Sequence, residues 1–261
     1  MREKAIKEFE RLLNIMDELR EKCPWDKIQT KETLRSLTLE ECYELTDAII
    51  ENRSDEIKKE LGDILLHIVF YAKIGSESMG FDMADVLKSL NDKLVYRHPH
   101  IYGTESVNDA KEVLENWEQL KLKEKDGNKT VLSGVPKSLP SIIKAHRIQD
   151  KARGVGFDWE HKEQVWDKVA EELEELKVEV KKEDKDKMEG EFGDLLFSII
   201  NAARLYDIDP DSALERTNLK FINRFNYLEQ KTIKQNISLK SLSLDEMNVI
   251  WEEAKRVERE K

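Results

Sequence analysis

Five acids occur twice in this chain, in the same order and with no gap between the two copies. Glu40, Glu41, Glu44, Glu60 and Asp63 return as Glu171, Glu172, Glu175, Glu191 and Asp194, each shifted by 131 positions. A duplication of this span demands two copies of one local fold, so the 261 residues read as two domains. At about 100° per residue along a helix, Val169, Leu173, Leu176 and Val180 form one apolar stripe. Glu172 and Glu175 run along its edge, with Glu171 beside Glu175. On the next segment Phe192, Leu195 and Ile199 are apolar, and Glu191 and Asp194 occupy the neighbouring edge. The charged stretch 180–188 is short enough to reverse the chain. The pattern therefore predicts an antiparallel helical hairpin with four or five carboxylates gathered at the margin of a buried surface.

Like charges gathered in this way repel one another and are costly to desolvate unless a cation lies among them. A donor set made only of oxygens suits a hard ion, Mg²⁺ or Mn²⁺. Acidic helix faces are ordinarily just solvated. The ungapped recurrence of all five acids is what points to a site.

The remaining segments follow the same duplicated order. Ile6, Phe9, Leu12, Leu13, Met16 and Leu19 space a helix over 2–22 that ends before Cys23-Pro24. The first carboxylate hairpin is expected over 33–51 and 55–75, a loop over Gly75–Asp82, and a helix over 83–97. His98-Pro99-His100-Ile101-Tyr102-Gly103 then stops the chain. A helix over 108–125 carries Trp117 and Lys121, and 126–140 reads as a linker. The second copy runs from a helix at 142–152 through Gly154–Trp159 to a hairpin over 163–206. The expected domains are thus 1–125 and 141–261. Strand alternation is missing from the sequence, so the fold class is all-α, a tandem pair of helical-bundle domains.

Further residues repeat around the acids. Asn218, Lys220 and Arg224 match Asn91, Lys93 and Arg97, and Trp251 and Lys255 match Trp117 and Lys121. Four-residue spacing puts Lys220 and Arg224 on one helix face, where cations can clamp phosphates while carboxylates hold metal. Gly62 and Gly193 interrupt helices at a cost of about 1 kcal/mol each relative to Ala, which a close helix approach or ligand entry would explain. His67 lies four residues after Asp63, but its counterpart is Ser198, so it reads as structural. No Gly-rich phosphate loop, Ser/His/Asp set or Cys/His metal spacing is present in the sequence.

Composition narrows the partners. Net charge is −11 and 38% of residues are charged, which disfavours broad binding to nucleic acid and suits cations. No run of about twenty apolar residues exists to span a membrane, and the N-terminal segment is an amphipathic helix with no apolar signal core. Two cysteines make no disulfide framework. A cytoplasmic chain is expected.

Glu-Glu-x-x-Glu followed by Glu-x-x-Asp, duplicated in a helical chain, resembles the MazG family of nucleoside triphosphate pyrophosphohydrolases. Cys23-Pro24-Trp25-Asp26, Arg97-His98-Pro99-His100 and Val155-Gly156-Phe157-Asp158-Trp159 carry the same resemblance over nearly the whole chain. It implies Mg²⁺-dependent hydrolysis between the α and β phosphates, giving a monophosphate and pyrophosphate, by helical bundles paired as homodimers. Glu172, Glu175, Glu191 and Asp194 would then hold metal, and Glu171 would orient or activate the water. Lys220 and Arg224 would hold the triphosphate, with Trp251 and Lys255 near the nucleotide and Lys121 as a further substrate contact. The resemblance also implies that the second repeat does the hydrolysis. The first repeat keeps Glu40, Glu41, Glu44, Glu60, Asp63, Lys93 and Arg97, a possible second site. The alternative from another class is a non-catalytic helical scaffold that takes metal or nucleotide as a structural ligand. A di-iron bundle would need Glu-x-x-His pairs, which neither hairpin supplies.

Overall fold

A computed structural model describes residues 1–107, 109, 112–113, 116–117, 120–121, 130–234 and 237–259. Among these the chain is all-helical, with no strand. It divides into two compact units, Met1–Asn108 and Asp109–Lys261. The helix expected over 108–125 falls largely outside the described residues, as does 126–129 of the expected linker. The described remainder of that stretch includes a 3-10 turn, Val131–Gly134, packed on the helix that opens the second bundle. No described helix is long and apolar enough to cross a membrane.

In the first unit α1 (Arg2–Lys22) is followed by the short α2 (Pro24–Ile28). The hairpin is α3 (Lys31–Ile50) and α4 (Ser54–Ser78), and α5 (Met83–Arg97) and α6 (Pro99–Tyr102) complete the unit. Thr30 caps α3 reciprocally with Thr33, and Asp82 caps α5 with Asp85, which fixes both helix starts. The core is Met16 of α1, Leu34 of α3, and Val69, Phe70 and Ile74 of α4. Two ion pairs fasten α1 to α4 at the rim of that core, Lys73 to Asp17 at 2.7 Å and Arg20 to Glu77 at 2.9 Å.

The loop expected from Gly75 begins later, because α4 continues to Ser78. Gly75 is buried, and a Cβ there would lie 2.6 Å from the Phe81 ring. The glycine thus lets Phe81 fold back onto a helix that it does not end. At Gly62 and Gly193 a Cβ would meet nothing within 4 Å. Of a close helix approach and ligand entry, the close approach does not occur at these two positions.

The second unit contains α7 (Ser141–Arg153), α8 (Val165–Lys182), α9 (Lys185–Leu205), α10 (Pro210–Lys234) and α11 (Leu244–Arg259). Here α8 and α9 form the hairpin, α7 packs on α9 and α10, and α11 packs on α10. The duplication extends to the reversals of the two hairpins. Asn52 and Glu183 are equivalent positions, and both take left-handed backbone, at φ 55° and 58°. Asn suits that conformation and Glu does not, so only one of the two turns announces itself by residue type.

One expectation is corrected by the packing of α8. The inward face follows the four-three spacing Val165, Val169, Glu172, Leu176, Glu179, while Leu173 and Val180 of the predicted stripe are exposed. The partner face on α9 is Met188, Glu191, Leu195, Ser198 and Ala202, and Phe192 and Ile199 point outward. Two antiparallel helices cover only the narrow seam between them. The broader apolar arc read from the sequence exceeds what one partner helix can bury. Glu172 and Glu191 therefore lie in the seam itself and not at its margin.

Candidate metal and nucleotide site

The seam position of the acids follows from the register just described. In α8–α9, Glu172, Glu175 and Glu191 offer carboxylate oxygens that all lie within 4.8 Å of one another. In α3–α4 the corresponding group is Glu41, Glu60 and Asp63. Asp194 and Glu44 lie outside these sets of three, although their charges act on Glu191 and Glu41 respectively. Burial pushes the Glu191 carboxyl above the ordinary carboxylate range, and repulsion from Glu175, Asp194, Glu172 and Glu179 adds to it. Glu41 is pushed up in the same way, first by burial and then by Asp63, Glu44 and Glu60.

The two copies differ in where they place positive charge. In the first unit Lys59 Nζ stands among the acids, 2.9 Å from Glu60, 3.8 Å from Asp63 and 3.9 Å from Glu44. The equivalent residue in the second unit is Gly190. There the ammonium comes from Lys168 on the other helix, 3.0 Å from Glu171 and 2.7 Å from Glu172. Both carboxylates push the Lys168 ammonium well above its usual range, Glu172 more strongly. Lys168 is opposite Leu37, so neither lysine has a counterpart. The charge of Glu175 adds to burial in raising Glu191.

A hard divalent cation fits this donor set. All candidate ligands are carboxylate oxygens, and a buried one, Glu60 Oε2, has no hydrogen-bond partner among the described residues. His67 is turned away from that role. Its Nδ1 lies 2.8 Å from the Thr38 hydroxyl, which is also 2.8 Å from Tyr71 Oη, and burial lowers its pKa.

The predicted cations gather on α10 and α11, in the same compact unit as the second acid set. Arg224 donates to Glu258 at 2.7 Å and lies 6.0 Å from the centre of the Trp251 ring. Trp251 packs on Phe221 at 5.0 Å between ring centres, and Lys255 is paired with Glu252 at 2.5 Å. Lys220 is exposed one turn before Arg224. In the first unit Lys93 is exposed on α5 and Arg97 is half-buried at its end. Lys121 stands 5.6 Å from the Trp117 ring, and both residues fall within the second unit's span.

The MazG nucleotide pyrophosphohydrolase domain matches this chain twice, over residues 29–102 and 160–228. These spans contain both carboxylate hairpins. The chain belongs to the MazG family. A Thermotoga maritima protein named nucleoside triphosphate pyrophosphohydrolase/pyrophosphatase MazG is 43% identical over 250 residues, 95% of each chain. An Escherichia coli nucleoside triphosphate pyrophosphohydrolase is 39% identical over 260 residues, covering 97% of this chain and 99% of the relative. An uncharacterised Bacillus subtilis protein, YabN, is 43% identical over 97% of this chain, which spans 52% of that longer relative.

Three residues around the site escaped the motif reading: Lys59, Lys168 and Glu179. Each was visible as a mismatch in the 131-residue register, opposite Gly190, Leu37 and Ala48.

Proposed function

We propose that this MazG-family chain is a metal-dependent nucleoside triphosphate pyrophosphohydrolase that cleaves between the α and β phosphates, with its working site on the α8–α9 hairpin. The observation that carries the reading is the group of Glu172, Glu175 and Glu191 oxygens within 4.8 Å of one another, half-enclosed in a helical seam. Glu172, Glu175, Glu191 and Asp194 would hold Mg²⁺ or Mn²⁺, which when bound polarises phosphate oxygens and lowers the pKa of a coordinated water. Glu171 stands at the exposed edge beside Lys168 and would orient the attacking water. Arg224 exchanges its contact with Glu258 for phosphate, Lys220 adds charge one turn away, and Trp251 with Lys255 lies toward the nucleoside. A nucleotide substrate also agrees with the expected cytoplasmic location.

Incubating the purified chain with each NTP and Mg²⁺, with products separated by chromatography, tests the bond assignment. Monophosphate and pyrophosphate are expected in equal amounts. Release of orthophosphate and a nucleoside diphosphate would refute it.

The assembly reading is a homodimer. Leu173, Val180, Phe192, Leu196 and Ile199 expose an apolar face on the outer side of the hairpin, with Leu196 59% accessible. Contiguous apolar surface on a helical hairpin is commonly covered by a second copy. Light scattering should give twice the 30.6 kDa chain mass, and Phe192→Asp/Leu196→Asp should return it to one chain. A single-chain mass for the unaltered protein at micromolar concentration would contradict the dimer.

A further inference from the structure

Phe221 stands on α10 between Lys220 and Arg224, the two cations assigned to phosphate. Its ring lies nearly parallel to that of Phe225, with 6.2 Å between centres and 9° between planes, and meets the Trp251 ring of α11 at 5.0 Å and 56°. The Arg224 guanidinium sits 6.0 Å from the centre of that same Trp251 ring. Phe221 is thus braced by two rings and joined through Trp251 to a phosphate-binding cation, yet 57% of it stays accessible. In the register that aligns Lys220 and Arg224 with Lys93 and Arg97, the first unit has Leu94 for Phe221 and His98 for Phe225. The helix therefore accepts an aliphatic side chain at this place, and the first unit lacks both phenylalanines of the three-ring cluster.

A lone exposed phenylalanine on a helix needs no explanation. A ring braced by two others beside two cations differs, because every nucleobase offers a flat π face that such a ring can stack on. We propose that Phe221 is the platform on which the nucleobase of the triphosphate stacks, with Lys220 and Arg224 holding the phosphates of the same molecule. The two cations decide the occupant, since they suit an anion that carries an aromatic ring better than a second apolar surface. A phenyl ring has no hydrogen-bonding group, so it holds a base without reading its edge. A purine overlaps the ring more fully than a pyrimidine, and the platform favours purine triphosphates by area alone. This inference rests on the nucleotide reading of the second unit and adds to it the residue that meets the base.

The test is steady-state hydrolysis of ATP and UTP by the full chain carrying Phe221→Leu or Phe221→Trp, with light scattering and thermal unfolding as controls of assembly and fold. Leucine is the side chain that the first unit carries here, and tryptophan restores a ring. Phe221→Leu should raise KM for ATP about tenfold, the scale of one base–aromatic contact, and KM for UTP by less. Its kcat should stay nearly unchanged, because stacking holds substrate and transition state alike. Phe221→Trp should keep KM for ATP within about threefold of the unaltered chain. An unmoved KM for ATP in Phe221→Leu, a fall in kcat in its place, equal shifts for ATP and UTP, no recovery in Phe221→Trp, or a changed molecular mass would each overturn the inference and leave the hydrolase reading intact. If the unaltered chain hydrolyses neither triphosphate, that reading fails and this inference fails with it.

Discussion

Glu172→Gln/Glu175→Gln is expected to lower kcat/KM for nucleoside triphosphate hydrolysis by on the order of 10²-fold or more, while the chain remains folded. Glutamine keeps the size of each side chain and removes the charge that would hold metal. Removing two of three mutually repelling carboxylates relieves the seam, so loss of activity would not come from unfolding. The corresponding pair in the first unit, Glu41→Gln/Glu44→Gln, is expected to leave kcat/KM within a few-fold. The reason lies in the surroundings, since the five acids themselves are intact in both copies. Lys59 inserts an ammonium among Glu60, Asp63 and Glu44, where the second unit has Gly190. Ala48 stands where the second unit has Glu179. Each seam holds one ammonium, but Lys59 stands among three acids whereas Lys168 meets Glu171 and Glu172, and the first seam has one carboxylate fewer at the Ala48 position; both differences weaken its pull on a divalent cation. Running both double variants over ribo- and deoxyribonucleotides checks the assignment. A comparable loss from the first pair would mean two working sites.

Much of this arrangement could be read before any coordinates. Helix order, both hairpins and the bounds of α5 follow from apolar spacing, Pro and Gly punctuation and caps such as Asp82. The acids stood out because duplication in register sets them apart from an ordinary charged face, and three of them cluster in each hairpin. What spacing could not decide was which side of α8 turns inward. Leu173 and Val180 belong to an apolar arc wider than one partner helix can cover, and the seam selects Glu172 and Glu179 instead. Periodicity records which faces are apolar. It does not record how many neighbours are available to bury them. The extent of α4 was misread for a related reason, because Gly75 serves the packing of Phe81 and not a turn.

Long-range pairing was the least legible part, and its largest expected consequence concerns Asp158 and Arg204. Asp158 lies in the Val155–Trp159 segment before α8, and Arg204 lies at the end of α9, 46 positions apart. The guanidinium grips the carboxylate in two places, Nη1 to Oδ2 at 3.0 Å and Nη2 to Oδ1, and also donates to Asn201. The Arg204 side chain is 4% accessible and that of Asp158 20%. Arg204→Ala leaves Asp158 partly buried without its partner, which costs about 3–5 kcal/mol for a buried pair. The residual exposure of Asp158 favours the lower end of that range. In a unit of this size the loss corresponds to a fall in Tm of roughly 10 °C. Burial alone would raise the Asp158 carboxyl, but the Arg204 contacts and the Trp159 N–H outweigh it and hold the group below the ordinary aspartate range. A depressed carboxyl contributes stability that is fully present above the unfolded pKa and is lost as pH falls through the folded one. The gap between the unaltered chain and Asp158→Asn should therefore be widest near neutral pH and close on acidification below about 4. Calorimetric unfolding of both variants from pH 7 downward reads this directly, and equal melting temperatures for Arg204→Ala and the unaltered chain at pH 7 would refute the role given to the pair.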